Sequence, residues 1–386
     1  MKLKHFVFIV FILLFVWVFF ITLAAGNFGS HIRWFNDYYD RSVYVQRSAW
    51  FIEGGIPYVD TFSEYPQVAT YFFALPYLLM MQLQPVDTIS PSTYSMAFSF
   101  LTLFLLGGVI FLLYKSIQID SRWAFLLLLP APLYFSFNRF DILPAFFVLV
   151  SILLFFQDRK LLSVVFLGVG AMTKWYPVLL FPVFWVFDCH KKKRIRWGMP
   201  ITFILTVVAI VLPTYLFGGW EAVFAPYRMH LARGLEYVSL PALLNNWLFS
   251  PLGIHLNARL LGSVFLVLQL FPTLFSLIIR LDDREDFLNW SVVIVGLFVG
   301  FSEIYSPQWI LWLLPLFLLV AKTKKDIFLV ILYSISTYIA FPVLFDGAGV
   351  DSVWLVLVSL FNFVLLGVII FSSLKKPSHM TFLLHR

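Results

Sequence analysis

Apolar residues run along this chain in long unbroken stretches, separated by short polar segments. The first stretch covers 6–25, about the ~20 residues that a helix needs to cross a bilayer. Further stretches predict spans at 94–114, 123–137, 141–156, 161–173, 175–187, 199–217, 256–279, 287–304, 307–320, 327–345 and 352–373. Counted together they predict about 12 crossings with both termini inside. Several are shorter than the ~20 residues of a perpendicular helix, so their ends extend into polar flanks or the pairs are partly re-entrant. The runs are continuous, not alternating, which predicts helices and not the strands of an outer-membrane barrel.

The stretch 67–83 is set apart by charge. If it does not cross, the clusters at Lys2 and Lys4, Lys115 and Arg122, Arg159 and Lys160, 191–196, Arg280 and Arg284, 322–325, and Lys375 and Lys376 all face the cytoplasm. A crossing at 67–83 would turn every later cluster outward, against the positive-inside rule. It is therefore expected to lie in the outer interface. The first extracytoplasmic loop then spans 26–93, and the second large one 218–255. Residues 161–187 join two basic clusters, so they are expected to go in and return with Lys174 near the turn. The fold class is an all-α polytopic membrane protein, with 1–386 as one integral membrane domain.

Composition agrees. The chain is 61% hydrophobic and only 12% charged, too few charges to cover a soluble protein of this length. The net charge of +7 sits in short clusters between apolar runs, without a basic domain to grip nucleic acid. The lone cysteine, Cys189, excludes a disulfide framework. The N-terminus has the outline of a signal peptide, but its apolar core exceeds the usual ~7–15 residues and predicts an uncleaved anchor. No Walker-type or GxGxxG loop is present, which counts against an ATP-driven pump.

Polar groups gather in the segments placed outside. Asp37 and Asp40 follow the first span three residues apart and would share a face of a short helix. A carboxylate there can act as general base on a hydroxyl or hold a divalent cation; equally, Asp40 can pair with Arg41 or Arg33. Glu64-Tyr65-Pro66 ends the same loop and brings another acid. Asn138-Arg139-Phe140-Asp141 reads as an outer polar turn. Lys174 lies deep in an apolar region, where a lysine is a functional candidate and a natural phosphate partner, or else snorkels to the interface. Ser302-Glu303-Ile304-Tyr305-Ser306-Pro307-Gln308-Trp309 is another outer turn, and the second large loop supplies Arg228, His230 and Arg233.

In that order, these residues resemble the GT-C superfamily of integral-membrane glycosyltransferases. They look most like glycosyltransferase family 87, with a weaker similarity to GPI mannosyltransferase I catalytic subunits. The likeness lies in Asp40-Arg41-Ser42-Val43-Tyr44, Gly54-Gly55 with Pro57-Tyr58, Tyr65-Pro66, Asn138 and Asp141, Gly168 through Lys174-Trp175-Tyr176-Pro177, and Ser306-Pro307-Gln308-Trp309. The resemblance implies transfer of a sugar, with a lean to mannose, from a polyprenyl-phosphate donor to a lipid-linked or glycan acceptor. Transfer would occur at the extracytoplasmic face, with inversion. It implies Asp40 as the catalytic base, with Asp37 and Glu64 as alternative acids. Lys174, Arg228, His230 and Arg233 are the implied partners of the donor phosphate. Tyr44, Tyr58, Tyr65, Asn138, Asp141, Tyr176, Gln308 and Trp309 would line the substrate. A strict D-x-D is absent because position 38 is Tyr, which leaves the metal question open, and Tyr65-Pro66-Gln67 has one proline where the family often has two. No nucleic-acid partner is expected. The expected location is the plasma membrane of a prokaryote or the endoplasmic reticulum of a eukaryote. A transporter or lipid flippase is the rival reading; it would require paired repeats and midplane charges, and no repeat is found.

Overall fold

The computed structural model describes residues 34–374 except 118 and 255, together with Ile12, Phe15 and residues 381–382. All but two positions of the expected first span at 6–25, and Arg33, lie outside the described residues. The fold is all-α. Its only named strands among the described residues are Ile279–Arg280 and Thr381–Phe382, paired antiparallel.

The helices that position the site are α1 (Tyr38–Arg47), α2 (Pro91–Ser116), α3 (Pro130–Asn138), α4 (Ile142–Phe156), α5 (Lys160–Ala171) and α6 (Phe181–Lys192). After them come α7 (Gly198–Ala232), α8 (Ala258–Phe275), α9 (Arg284–Phe301), α10 (Ile310–Val320), α11 (Lys324–Tyr338) and α12 (Val353–Leu374). Their ends follow local chemistry. The Ser90 hydroxyl accepts from the Thr93 amide at the start of α2, and Pro91 sits where a missing N–H does no harm. Thr323 and Asp326 cap α11 reciprocally.

Five described helices are long and apolar enough to cross a membrane: α2, α7 through His230, α8, α11 continued to Ala348, and α12. A sixth span arises if the bent pair α3–α4 counts as one. Helix lengths therefore differ from the twelve spans expected. The 123–137 stretch is a 3₁₀ segment, Ser121–Leu128, followed by α3. Helices α5 and α6 have 12 residues each, about 18 Å against a core of ~30 Å. The charged first turn of α9 (Arg284, Glu285, Asp286) shortens its apolar part. Prolines at 130, 177, 182 and 307 open many of these pieces, because proline interrupts the helical ladder and is accepted in a first turn. Residues 67–83 form two short helices, Gln67–Phe72 and Leu75–Met80, together too short for a crossing. Residues expected as loop from 218 begin as helix. Gly219, at φ 61° and ψ −162°, bends α7 in a conformation open only to glycine, and the helix continues from there to Ala232.

Helix α10 is apolar all round and buried on nearly every side between α2, α3, α4 and α9, as an all-apolar helix requires. Helix α7 is the opposite: Ile201, Ile204, Leu205 and Val208 are exposed, as expected of a helix surrounded by lipid. A separate aromatic cluster ties α1 and the two short helices to α2. Tyr44 stacks on Phe73 at 4.5 Å and touches Phe98 and Phe140 at 5.1 and 5.6 Å. Sequence reasoning placed Tyr44 on the substrate; the structure buries it fully among these rings, because α1 turns that face inward.

The ion pairs around the basic clusters and those around the buried acids form separate sets. Arg196 pairs with Asp188, Lys322 with Glu285, and Lys160 and Arg280 lie in the fields of Asp188 and His190. Asp37, Asp40, Glu64 and Asp141 pair only with Arg47, Arg139 and Lys174, and no ion pair among the described residues joins the two sets.

The Tyr44 hydroxyl is buried without a hydrogen-bond partner among the described residues. Tyr44→Phe is therefore expected to keep thermal stability within about 1 kcal/mol, while Tyr44→Ala loses about 3–5 kcal/mol. Thermal unfolding in detergent checks both. A Phe variant as unstable as the Ala variant would show that the hydroxyl, not ring packing, matters here.

Candidate active site

The site is built on a break between α3 and α4, which meet at 109°. Pro144 cannot donate to the carbonyl of Phe140, and its ring would clash with it, so the helix cannot run straight through. The break leaves Arg139 extended and holds it almost fully buried. Asp37 caps α1 by accepting from the Tyr39 amide, and Asp40 follows in the first turn. Both carboxylates reach the same guanidinium: Arg139 Nη2 lies 2.5 Å from Asp37 Oδ2, and Nε lies 2.5 Å from Asp40 Oδ2. Asn138 Oδ1 accepts the Asp37 amide at 2.9 Å, while its amide nitrogen donates to the Tyr134 carbonyl at 2.9 Å. The partner of Asp40 is thus Arg139, not Arg41. Arg41 is buried and donates instead to the Ser99 hydroxyl and the Asp37 carbonyl, at 3.0 and 3.2 Å.

The two acids differ electrostatically. Burial pushes the Asp37 carboxyl up, but the Arg139 charge and the Tyr39 amide outweigh it and hold Asp37 below the usual carboxylate range. Burial pushes Asp40 up as well, and there Arg139 and Lys174 do not overcome it, because the charges of Asp37 and Asp141 add to the burial.

A second break follows α5. Pro177 bars helix through Thr173, and Lys174 occupies the turn. Lys174 Nζ lies 3.4 Å from Oδ1 of Asp141, whose carboxylate is wholly buried and receives no hydrogen bond among the described residues. The ammonium also sits over the rings of Phe140, Tyr65 and Trp312, at 4.8, 5.4 and 5.7 Å. The short helix at 67–72 is tied to this second break: its Val68 amide donates to the Met172 carbonyl at 2.8 Å.

These groups open on one cavity of about 1360 Å³. Of the residues expected from sequence, Asp37, Asp40, Glu64, Tyr65, Lys174, Tyr176, His230, Arg233, Gln308 and Trp309 line it. One wall is a continuous aromatic stack, Tyr176 on Trp312 at 4.4 Å and Trp312 on Trp309 at 4.6 Å. Glu64 is held by Arg47 at 2.5 Å, and its carbonyl lies 3.2 Å from His230 Nε2. Arg233 pairs with Glu236 at 2.6 Å.

Five expected residues stand behind the wall. Tyr44 is in the aromatic cluster. Tyr58 is buried, with its hydroxyl donating to the Tyr65 carbonyl at 2.6 Å. Asn138 braces Asp37, and Asp141 braces Lys174. Arg228 turns back to the Glu221 carbonyl of its own helix, at 2.6 Å, and does not line the cavity. Arg139 is the residue that sequence reasoning noted in a turn without giving it a role. The available hint was an ionisable residue between two apolar runs. For a metal, the donor set is poor: no group of three His, Cys, Asp or Glu side chains comes together among the described residues.

Residues 65–307, well over half of the chain, match the model of glycosyltransferase family 87. Asp37, Asp40, Gln308 and Trp309 lie outside the matched stretch. The chain is also similar to GPI mannosyltransferase 1 of Kluyveromyces lactis, 26% identical over 181 residues. That alignment covers 44% of this chain and 44% of the relative, so the chain spans less than half of that protein's length.

Breaking the Lys174–Asp141 pair should be costly on one side only. Lys174→Met strands a buried carboxylate and is expected to lose about 3–5 kcal/mol of stability, and Lys174→Met with Asp141→Leu should recover most of it. Unfolding curves of the single and double variants check this. A double variant no more stable than the single one would mean that the pair is not the cause.

Proposed function

The chain belongs to glycosyltransferase family 87, and from that premise we propose that the cavity transfers a mannosyl group from a polyprenyl-phosphate donor to a lipid-linked or glycan acceptor. The observation that carries this reading is the pair of carboxylates on Arg139 facing the same cavity as Lys174 and the aromatic stack. Membrane glycosyl transfer is the common ground of the family and of the GPI mannosyltransferase relative; donor, acceptor and stereochemistry are inferred here.

Asp40 takes the proton of the acceptor hydroxyl. Arg139 engages its Oδ2, so Oδ1 is left to receive that proton. Its raised affinity for protons brings it nearer to neutral, where a general base is most effective. The acceptor oxygen forms its bond to the anomeric carbon as the bond from that carbon to the phosphate oxygen breaks. The electron pair leaves with the polyprenyl phosphate, so attack from the opposite side inverts the centre. Lys174 meets the growing negative charge on the phosphate, with His230 and Arg233 as further contacts on the cavity wall. Asp37 holds Arg139 in place and stays ionised. Tyr65, Tyr176 and Trp309 offer ring faces to the sugar. No step is routed through a metal ion.

The extracytoplasmic placement rests on reading the basic clusters as cytoplasmic by the positive-inside rule; the cavity's ion pairs share no partner with theirs.

Membranes containing the chain should move radiolabelled mannose from polyprenyl-phosphate-mannose into a glycolipid, and Asp40→Asn should lower that rate by about 10²–10⁴-fold at equal expression. Equal label with Asp40→Asn removes Asp40 from the chemistry, and no label with the intact chain sinks the mannosyl donor reading. A pH profile tests the electrostatics. Transfer needs Asp40 ionised, so it should fall on the acid side at a higher pH than an ordinary carboxylate, near ~4, would give. Asp37→Asn removes a negative charge that raises Asp40, so the acid limb should move to lower pH. A limb that stays or moves upward contradicts this coupling.

A further inference from the structure

Among the cavity acids outside this chemistry, Glu303 stands apart. Asp37, Asp40, Glu64 and Glu236 each lie against an arginine. The Glu303 carboxylate has no ion pair and no hydrogen-bond partner among the described residues, and the residue, half-buried, lines the same cavity. Its backbone is fixed: the Glu303 carbonyl accepts from the Glu236 amide at 2.9 Å, and the next residue's amide donates to the Ser302 hydroxyl at 3.3 Å. Its carboxylate is given room by a glycine in mid-helix. A Cβ at Gly262 of α8 would overlap Glu303 Oε2.

We propose that Glu303 binds hydroxyl groups of the acceptor glycan. The proposal rests on the reading of the cavity as a glycosyltransferase site. An unneutralised carboxylate repels a phosphate, so this part of the wall does not suit the donor's head. It suits a neutral polyol, whose hydroxyls donate to a carboxylate in charge-assisted bonds about twice as strong as neutral ones. The position fits as well. Gln308, on the same turn as Glu303, touches Arg139 Nε through its Oε1 at 3.4 Å. Positions 303 and 308 are five residue steps apart, so the two backbones are at most ~18 Å apart. An acceptor of two or more sugars can present one hydroxyl to Asp40 while another ring lies on Glu303, with Tyr305 and Trp309 also on the lining.

The test is binding, read separately from transfer. The purified full chain is titrated with a mannose disaccharide, followed by quenching of the cavity tryptophans Trp175, Trp309 and Trp312. Glu303→Gln should weaken binding roughly tenfold. Gly262→Ala, which pushes the carboxylate aside without removing it, should weaken binding too. Asp87→Asn, an exposed acid off the cavity wall, should bind as the intact chain does. Melting temperatures should not move with Glu303→Gln, since no partner is lost. Equal affinity in Glu303→Gln, no binding by the intact chain, or a loss of affinity matched by a fall in melting temperature each overturns the proposal. If Glu303-dependent binding holds but no mannose is transferred from polyprenyl-phosphate-mannose, it is the donor reading that fails, and Glu303 remains a sugar ligand.

Discussion

The guanidinium of Arg139 is the interaction on which this site depends. A buried cation in a membrane protein is tolerated only with its charge answered, and here two carboxylates from another helix answer it. The arrangement fixes more than one charge. It joins α1 to the α3–α4 break, orients Asp40 through one oxygen, and splits the two acids into one held ionised and one with raised proton affinity. Asn138 completes the joint by accepting the amide of Asp37.

The scaffold that supports this joint is made of interruptions. A helix that runs through the bilayer presents only side chains, whereas a broken one places a turn, and the charges on it, at chosen depth. Pro144 and Pro177 each end a helix just where Arg139–Asp141 and Lys174 are needed. The cost is a buried carboxylate, Asp141, whose ion-pair partner among the described residues is Lys174. Packing elsewhere stays rigid: the all-apolar α10 fills the centre, and the aromatic cluster around Tyr44 clamps the first loop against α2. Because those rings carry the clamp, a tyrosine that looks like a sugar-stacking residue in sequence serves the fold instead.

Much of the candidate site was legible. Asp37 and Asp40 were expected to share a face, and they meet on one partner; Lys174 was expected at a turn, and it lies there. What sequence reasoning misjudged was which residues face the cavity. Tyr58, Asn138, Asp141 and Arg228 have suitable chemistry but spend it on the protein itself. Arg139 and Glu303 went unassigned for the converse reason. The importance of one comes from partners about a hundred positions away, and the interest of the other comes from having none among the described residues.

By itself, the sequence determined the medium, the helical class and the punctuation. Runs of apolar residues demand lipid or a buried core, and in lipid the backbone must satisfy itself within helices. Proline and glycine then set where those helices stop or bend. The tertiary structure alone decided which helices are long enough to cross, which acids share a cation, and which acid is left without one. Those outcomes depend on distances between residues far apart in the chain. A carboxylate beside an arginine and a carboxylate beside empty space have the same sequence signature, and only packing separates them.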